Sequence, residues 1–170
     1  YTFSYDENNR CLFISENGTT HKILYFDQND IGTYSSDNRC LHLRILGKGL
    51  GAEIGAAVAI EIQNKLYVPV HDHNGNLVRL LNENGSLCQK YDYTAFGEES
   101  VPKNALSPWR FASKRTVAGY LLFGRRLYDP KVGRWLSQDP TGYDAGPNLY
   151  AYLSNNPLTH FDSYGFFGLD

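Results

Sequence analysis

Methionine is missing from all 170 residues, and cysteine occurs only three times, at Cys11, Cys40 and Cys88. A chain that opens on Tyr1 and holds no methionine reads as a fragment or a processed piece of a longer protein. The cysteines are far apart, form no Cys-x-x-Cys pair and are odd in number. They read as small core or strand residues, not as a metal or redox centre. No apolar run is long enough to span a bilayer, and no signal-peptide pattern marks either end; in a piece of a longer chain this leaves the destination open. Net charge is −2 with Lys and Arg scattered. That argues against nucleic acid as a partner, since its recognition needs a concentrated basic face.

What is plentiful is aromatic: 13 Tyr, 9 Phe and 2 Trp, beside 16 Gly. Aromatic side chains favour half-buried pleated surfaces, and glycine punctuates them with tight turns. Turn signals recur at short intervals, at Asp6-Glu7-Asn8-Asn9, Glu16-Asn17-Gly18, Asp27-Gln28-Asn29-Asp30, Asp37-Asn38, Asn74-Gly75 and Asn84-Gly85. The Asn-Gly pairs predict type I′ hairpin turns. Between the turns, Tyr1, Phe3 and Tyr5 share one parity, as do Leu41, Leu43 and Ile45, and Leu66, Val68 and Val70. Period two places each set on one strand face, so the chain reads as an all-β antiparallel meander of hairpins. Tyr5-Asp6, Tyr25-Phe26-Asp27, His71-Asp72 and Tyr91-Asp92 form a degenerate repeat in which each pair ends a strand before a polar turn. Units this small cannot bury a face alone and must stack into one sheet.

Several patterns carry less than their form suggests. Gly47 to Gly55 nominally fits a dinucleotide fingerprint, but no βαβ unit surrounds it and the acidic partner is missing; it reads as a wide loop entering a strand that runs to Ile62. Pro102 to Pro108 reads as a second loop. His71-Asp72-His73 reads as a solvated strand end, and no cofactor or metal site is expected. Ser113-Lys114 and Ser137 lack a hydrolase context. Asn17-Gly18-Thr19 and Asn84-Gly85-Ser86 are glycosylation sequons in form only.

From Tyr67 onward the landmarks are HDHNGNLVRLLNENG (71–85), YDYTAFGEE (91–99), PWRFASK (108–114), GYLLFGRRLYDPKVGRWLSQDPTG (119–142) and NLYAYLSNNPLTHFD (148–162). This combination resembles the Rhs repeat-associated core domain of the tyrosine–aspartate (YD) repeat family almost continuously. Residues 1–46 resemble its ordinary repeats more weakly. The resemblance implies residues 1–66 as YD-repeat-like hairpins with a glycine-rich loop. Residues 67–166 would be the core domain, an irregular plug containing short helical turns. Residues 167–170 would begin a variable C-terminal region. Members of the family wind a β-ribbon into a hollow shell around a C-terminal toxin and are secreted or displayed at the cell surface. The implied partners are the chain's own C-terminal cargo and the rest of the shell. A repeat sheet cut at Tyr1 leaves an unpaired edge, so edge-to-edge self-association is also expected.

In many bacterial members the core domain cuts its own chain at two boxes of the form Asp-Pro-x-Gly-Leu separated by 18 residues. Here the boxes are Asp139-Pro140-Thr141-Gly142-Tyr143 and Asp162-Ser163-Tyr164-Gly165-Phe166, and the intervening Asp144 to Phe161 is 18 residues long. Tyr143 and Phe166 replace leucine, and Ser163 replaces proline. The family's conserved arginine falls on Arg126 within Gly124-Arg125-Arg126-Leu127-Tyr128-Asp129-Pro130. The resemblance thus implies Asp139, Asp162 and Arg126 as catalytic residues and the Phe166–Phe167 bond as the target. The chemistry is apt for peptide hydrolysis. Two close carboxyls split their proton affinities, one can take a proton from water while the other polarises the carbonyl, and an arginine stabilises the charge. Taken singly, each aspartate reads equally well as a turn former. The alternative is therefore a non-cleaving structural or adhesion module with a vestigial motif. A buried stripe of Trp109, Phe111, Phe123, Tyr128, Trp135, Tyr150 and Tyr152 is expected around the site.

Overall fold

The computed structural model describes residues 1–48, 56–100, 104–162 and 164–165. Nine strands follow one another: β1 (Thr2–Tyr5), β2 (Cys11–Glu16), β3 (Thr19–Phe26), β4 (Asn29–Ser35), β5 (Cys40–Leu46), β6 (Ala57–Ile62), β7 (Lys65–His71), β8 (Leu77–Asn82) and β9 (Leu87–Lys90). They form one antiparallel sheet in sequence order, the meander that the alternation predicts. Two short pieces, β10 (Asp92–Tyr93) and β11 (Glu99–Ser100), make a separate ladder. A four-stranded sheet follows, with β12 (Arg115–Val117), β13 (Tyr120–Leu122), β14 (Leu127–Asp129) and β15 (Arg134–Trp135). The only helical pieces among the described residues are three 3-10 turns at Phe111–Ser113, Gly142–Ala145 and Leu153–Asn155. No helix there is long and apolar enough to cross a membrane. Most of the glycine-rich stretch, residues 49–55, and residues 101–103 of the proline-containing stretch lie outside the described residues.

The hairpin turns correct one expectation. Asn17-Gly18 has both residues at positive φ, 48° and 80°, as a type I′ turn requires. At Asn74-Gly75 and Asn84-Gly85 only the glycine does. These belong to a five-residue turn that recurs from Asp6, Ser35, Asp72, Asn82 and Thr94. The first N–H donates to the fifth carbonyl and the fourth N–H donates back to the first carbonyl. The left-handed fourth position is Asn9, Asn38, Gly75, Gly85 or Gly97. The first side chain decides the geometry. Asp6 Oδ1 accepts the N–H groups of Asn8 and Arg10 at 2.9 and 2.8 Å, and Asp72 Oδ1 those of Asn74 and Asn76 at 3.0 and 2.9 Å. The aspartate of a tyrosine–aspartate pair is therefore a turn cap. Asp27 and Asp92 are exceptions: Asp27 lies at φ 53° inside the two-residue turn between β3 and β4, and Asp92 opens β10 after the buried Tyr91. His71 ends β7 as expected but is half-buried, and burial, with nearby Arg44 acting the same way, lowers its pKa to about 4; His73 beyond it is exposed.

One face of the large sheet is covered by the residues after β9. Leu122 joins Cys11, Ile14 and Ile23 from the first hairpins. Trp109 joins Ile60, Ile62, Leu77 and Leu80. A third cluster lies inside the C-terminal unit, where Phe123, Tyr128, Trp135 and Tyr152 meet with ring centroids 4.3–6.1 Å apart. Tyrosine is abundant because buried rings here carry useful hydroxyls. Tyr93 donates to the Leu77 carbonyl at 2.7 Å and Tyr128 to that of Phe96 at 2.8 Å. Of the seven expected core aromatics, Tyr150 is 37% exposed. It sits in a turn whose N–H groups bond back to Asn148, so strand parity does not apply. The opposite face of the large sheet carries Ile45, Leu66, Val68 and Val70, all exposed. The alternating apolar set of β7 thus points away from the core, and so does Ile45 of the β5 set.

The seam between the two layers is ionic. Arg115 pairs with Asp30 at 2.5 and 2.9 Å, and Arg44 donates to the carbonyls of Asp30 at 2.7 Å and Ser113 at 2.8 Å. Both guanidinium groups stack on Trp109, 4.8 and 5.0 Å from its ring centroid. Buried arginine is tolerated when its N–H groups are bonded and its flat face packs on a ring.

Candidate active site

Arg126 lies at the end of the short turn between β13 and β14, where Phe123 N–H donates to the Arg126 carbonyl at 3.0 Å. Gly124 takes a φ of +81° in that turn, a conformation L side chains resist. The guanidinium lies flat on Trp135, 3.9 Å from the ring centroid, and Arg126 is only 3% exposed. Its position is thus fixed by packing before any carboxylate is considered.

Asp139 follows β15, and its backbone N–H is tied to the Leu149 carbonyl at 3.0 Å. Oδ1 accepts the Thr141 N–H at 2.9 Å and the Thr141 hydroxyl at 2.6 Å, while Oδ2 lies 2.8 Å from Arg126 Nη1. That N–H does not aim at the oxygen, so the contact is an ion pair by distance and not a well-aligned hydrogen bond. Asp162 comes from the far side. Its Oδ1 accepts the N–H groups of Tyr164 and Gly165 at 3.0 and 2.7 Å, and its Oδ2 lies 3.4 Å from Arg126 Nη2. Arg126 Nε completes the arrangement by donating to the Gly165 carbonyl at 2.5 Å.

The three residues singled out in the sequence are therefore brought together around one guanidinium. Both aspartates cap turns, as the simpler reading holds, but they are 8% and 3% exposed and share a buried cation. Surface turn formers do neither. Burial raises the Asp162 pKa to about 6, against the opposing pull of the Tyr164 N–H and Arg126. Arg126 itself is lowered by burial, with both aspartates acting against that shift. Gly165 is required by close approach: at φ +75°, an added Cβ would meet the Phe123 carbonyl oxygen at 3.1 Å. A cavity of about 200 Å³ opens beside the triad, lined by Trp135, Asn148, Ser154 and Asn155 among others, with room for water. Its wall includes Leu153, Ser154 and Asn155 at φ 49°, 51° and 63°. Three successive non-glycine residues in the left-handed region concentrate backbone strain next to the carboxyls. Phe166 and Phe167 lie outside the described residues.

Two contributors were not foreseen. The Thr141 hydroxyl orients Asp139, and only its place two residues on in the box hints at this. Lys114, set aside in the sequence for want of a hydrolase context, is buried, and its ammonium lies over the rings of Phe123 and Tyr164.

The teneurin YD-shell family model matches residues 51–166. Toxin subunit YenC2 of Yersinia entomophaga is 45% identical over 89 residues, 50% of this chain and 9% of that protein. Toxin protein Tse5 of Pseudomonas aeruginosa is 36% identical over 99 residues, 55% of this chain and 7% of that protein. The crystal structure of TcdB2-TccC3 superposes with a TM-score of 0.72 at 24% identity, covering 96% of this chain and 9% of the other, which is a likeness of fold. The chain thus spans less than a tenth of the length of each of these relatives. With the family model matching most of its length, the chain belongs to the Rhs/YD-repeat shell family.

Proposed function

We propose that this chain is a shell-closing segment of a toxin-encapsulating protein and that it cuts its own backbone once, between Phe166 and Phe167, to free the cargo that follows. Within this reading residues 1–66 supply repeat hairpins, residues 67–166 form the cutting core domain and residues 167–170 begin the released part. The exposed edge of β1 continues into the rest of the shell, or pairs with a second copy when that is absent. The whole protein acts outside the cell that makes it.

The observation that carries the reading is Arg126, which binds both carboxylates and the Gly165 carbonyl at the threshold of the target bond. Asp139 serves as the base and Asp162, whose pKa lies near 6, as the acid. Asp139 takes a proton from water, whose oxygen bonds to the Phe166 carbonyl carbon. Asp162 polarises the carbonyl and gives its proton to the departing Phe167 nitrogen as the C–N bond breaks. The base ends protonated and the acid ionised, so charge is conserved. Because the substrate is the chain itself, folding has already met the entropic cost of bringing the groups together, and one turnover suffices.

The test is intact-mass measurement of a longer chain carrying its native residues beyond Asp170. We expect a new N-terminus at Phe167 in the parent, and intact but folded chains for Asp139→Asn and Asp162→Asn. A parent that folds and stays whole leaves the non-cleaving structural module as the correct reading.

A further inference from the structure

Lys114 is held where few lysines are found. It is 7% exposed and follows a left-handed turn in which Ala112 and Ser113 take φ values of 48° and 54°. Non-glycine residues resist the left-handed region, so something must fix them. The Ala112 N–H donates to Asn76 Oδ1 at 2.7 Å and the Ser113 hydroxyl to the Gly75 carbonyl at 2.7 Å. The large sheet thus dictates where the next side chain goes. The ammonium lies 5.5 Å from the Phe123 ring centroid and 5.8 Å from that of Tyr164. These rings belong to the residue that Gly165 packs against and to the residue that precedes it.

The charges around the ammonium divide unevenly. Asp30 on β4 is engaged in two short contacts by Arg115, and Arg44 on β5 adds positive charge. Arg126 sits 2.8 Å from Asp139 but 3.4 Å from Asp162. Asp162 is therefore the carboxyl with the weaker countercharge from Arg126, and the charge of Lys114 also acts on it. We propose that Lys114 is a positioning residue for the self-cleavage, its ammonium bridging the Phe123 and Tyr164 rings and so holding the Tyr164–Gly165 segment, and supplying the second positive charge that Asp162 needs when it gives up its proton. This rests on the cleavage reading above. Burial lowers the pKa of Lys114 itself to about 7, so the ammonium keeps its charge through the range near 6 in which Asp162 titrates.

The test follows cleavage over time by intact mass, in a chain extended by its native downstream residues and synthesised at a series of pH values. The variants are Lys114→Met, Lys114→Arg and Asp162→Asn. The parental rate should fall as pH rises through the Asp162 titration. Lys114→Met should cleave about tenfold or more slowly. Its fall in rate should also move up by about one pH unit, because Asp162 without its partner holds its proton longer. Lys114→Arg keeps the charge and should restore both the rate and the position of the fall. A folded Lys114→Met with the parental rate and profile overturns the proposal. So does a slowed Lys114→Met whose profile does not move, which would mark a packing role. If Lys114→Met does not fold, Lys114→Arg decides: cleavage with the parental profile supports the proposal, and a folded, uncut chain overturns it. A parent that is never cut overturns the cleavage reading itself. A parent cut in an Asp162-dependent way but indifferent to Lys114 overturns only this inference.

Discussion

The nine-stranded sheet and the unit that covers it are held together by different physics. Each strand of the sheet pairs with its neighbour in sequence, and its five-residue turns are closed locally by a side chain reaching nearby backbone. The covering unit has strands of two or three residues, and its order comes from a knot of four aromatic rings, an arginine lying on one of them and carboxyls drawn from distant turns. The sheet is a scaffold whose defects stay local. The covering unit is a place where one side chain supports several others. The large effects of substitution should therefore concentrate after Trp109, and the sheet should tolerate change.

The strongest break in that contrast is Trp135→Ala. It removes the surface under Arg126 and a ring in contact with Phe123, Tyr128 and Tyr152. A loss of about 3–5 kcal/mol is expected on chemical denaturation, together with slower self-cleavage. Arg126→Met should come close, at about 3–5 kcal/mol, because it leaves two buried carboxyls facing each other without their cation. A loss under about 1 kcal/mol in either variant would mean that the covering unit is no more cooperative than the sheet.

Proton linkage tests the same unit without disturbing its packing. Burial raises the Asp162 pKa to about 6 from the ordinary aspartate value of 3.8. A raised carboxyl favours the protonated folded state, so its stabilising contribution is full below the unfolded pKa and is lost as pH rises through the folded one. Between about pH 4 and pH 6 the parent should lose about 2–3 kcal/mol through this residue. Asp162→Asn cannot titrate. Its denaturation midpoint relative to the parent should therefore climb across that window, and a constant difference would place Asp162 in a more solvated setting.

The two regions also differ in how far the sequence discloses them. Hairpin order in the sheet follows from alternation and turn residues, which act over a few positions. The turn type at Asn74-Gly75 did not follow, because Asp72 decides it from two residues upstream. Nor did the direction of the apolar sets. Period two puts Leu66, Val68 and Val70 on one face without saying that Pro69, Leu80 and Ile60 occupy the other, which is the one that becomes the core. In the covering unit, Asp139, Asp162 and Arg126 were legible only through the resemblance to the family and the boxes it supplies. No local rule joins residues on separate turns. The Asp30–Arg115 pair spans 85 positions and falls in no motif, so nothing in the chain announces it. Lys114 was invisible for a related reason: its burial depends on a left-handed turn that Ala112 and Ser113 have no intrinsic tendency to form.

Within the sheet the turn caps should matter modestly. Asp72→Ala removes an acceptor for the N–H groups of Asn74 and Asn76 and for the Asn76 amide. Those N–H groups can turn to water at this partly exposed loop, so a cost of about 1 kcal/mol is expected. A cost several times larger would show that Asn76, which also fixes Ala112, transmits the damage into the covering unit.

The smallest effect should come from the outward face. Val68 pairs across β7 and β8 with Leu81, and Leu81 pairs with Leu87 on β9, yet Val68 and Leu87 remain exposed in this chain. Val68→Thr keeps the β-branched shape that suits a strand and adds only a hydroxyl on a face open to water. Since no described residue packs over Val68, its stability change should stay within about 0.5 kcal/mol by urea denaturation of the isolated chain. The same substitution in the full-length protein supplies the contrast. If that face is covered there, by shell or cargo, burying the hydroxyl without a partner should cost about 1–3 kcal/mol. Equal, small effects in both settings would mean that the face stays wet in the whole protein too, and that its valines and leucines serve strand formation rather than contact.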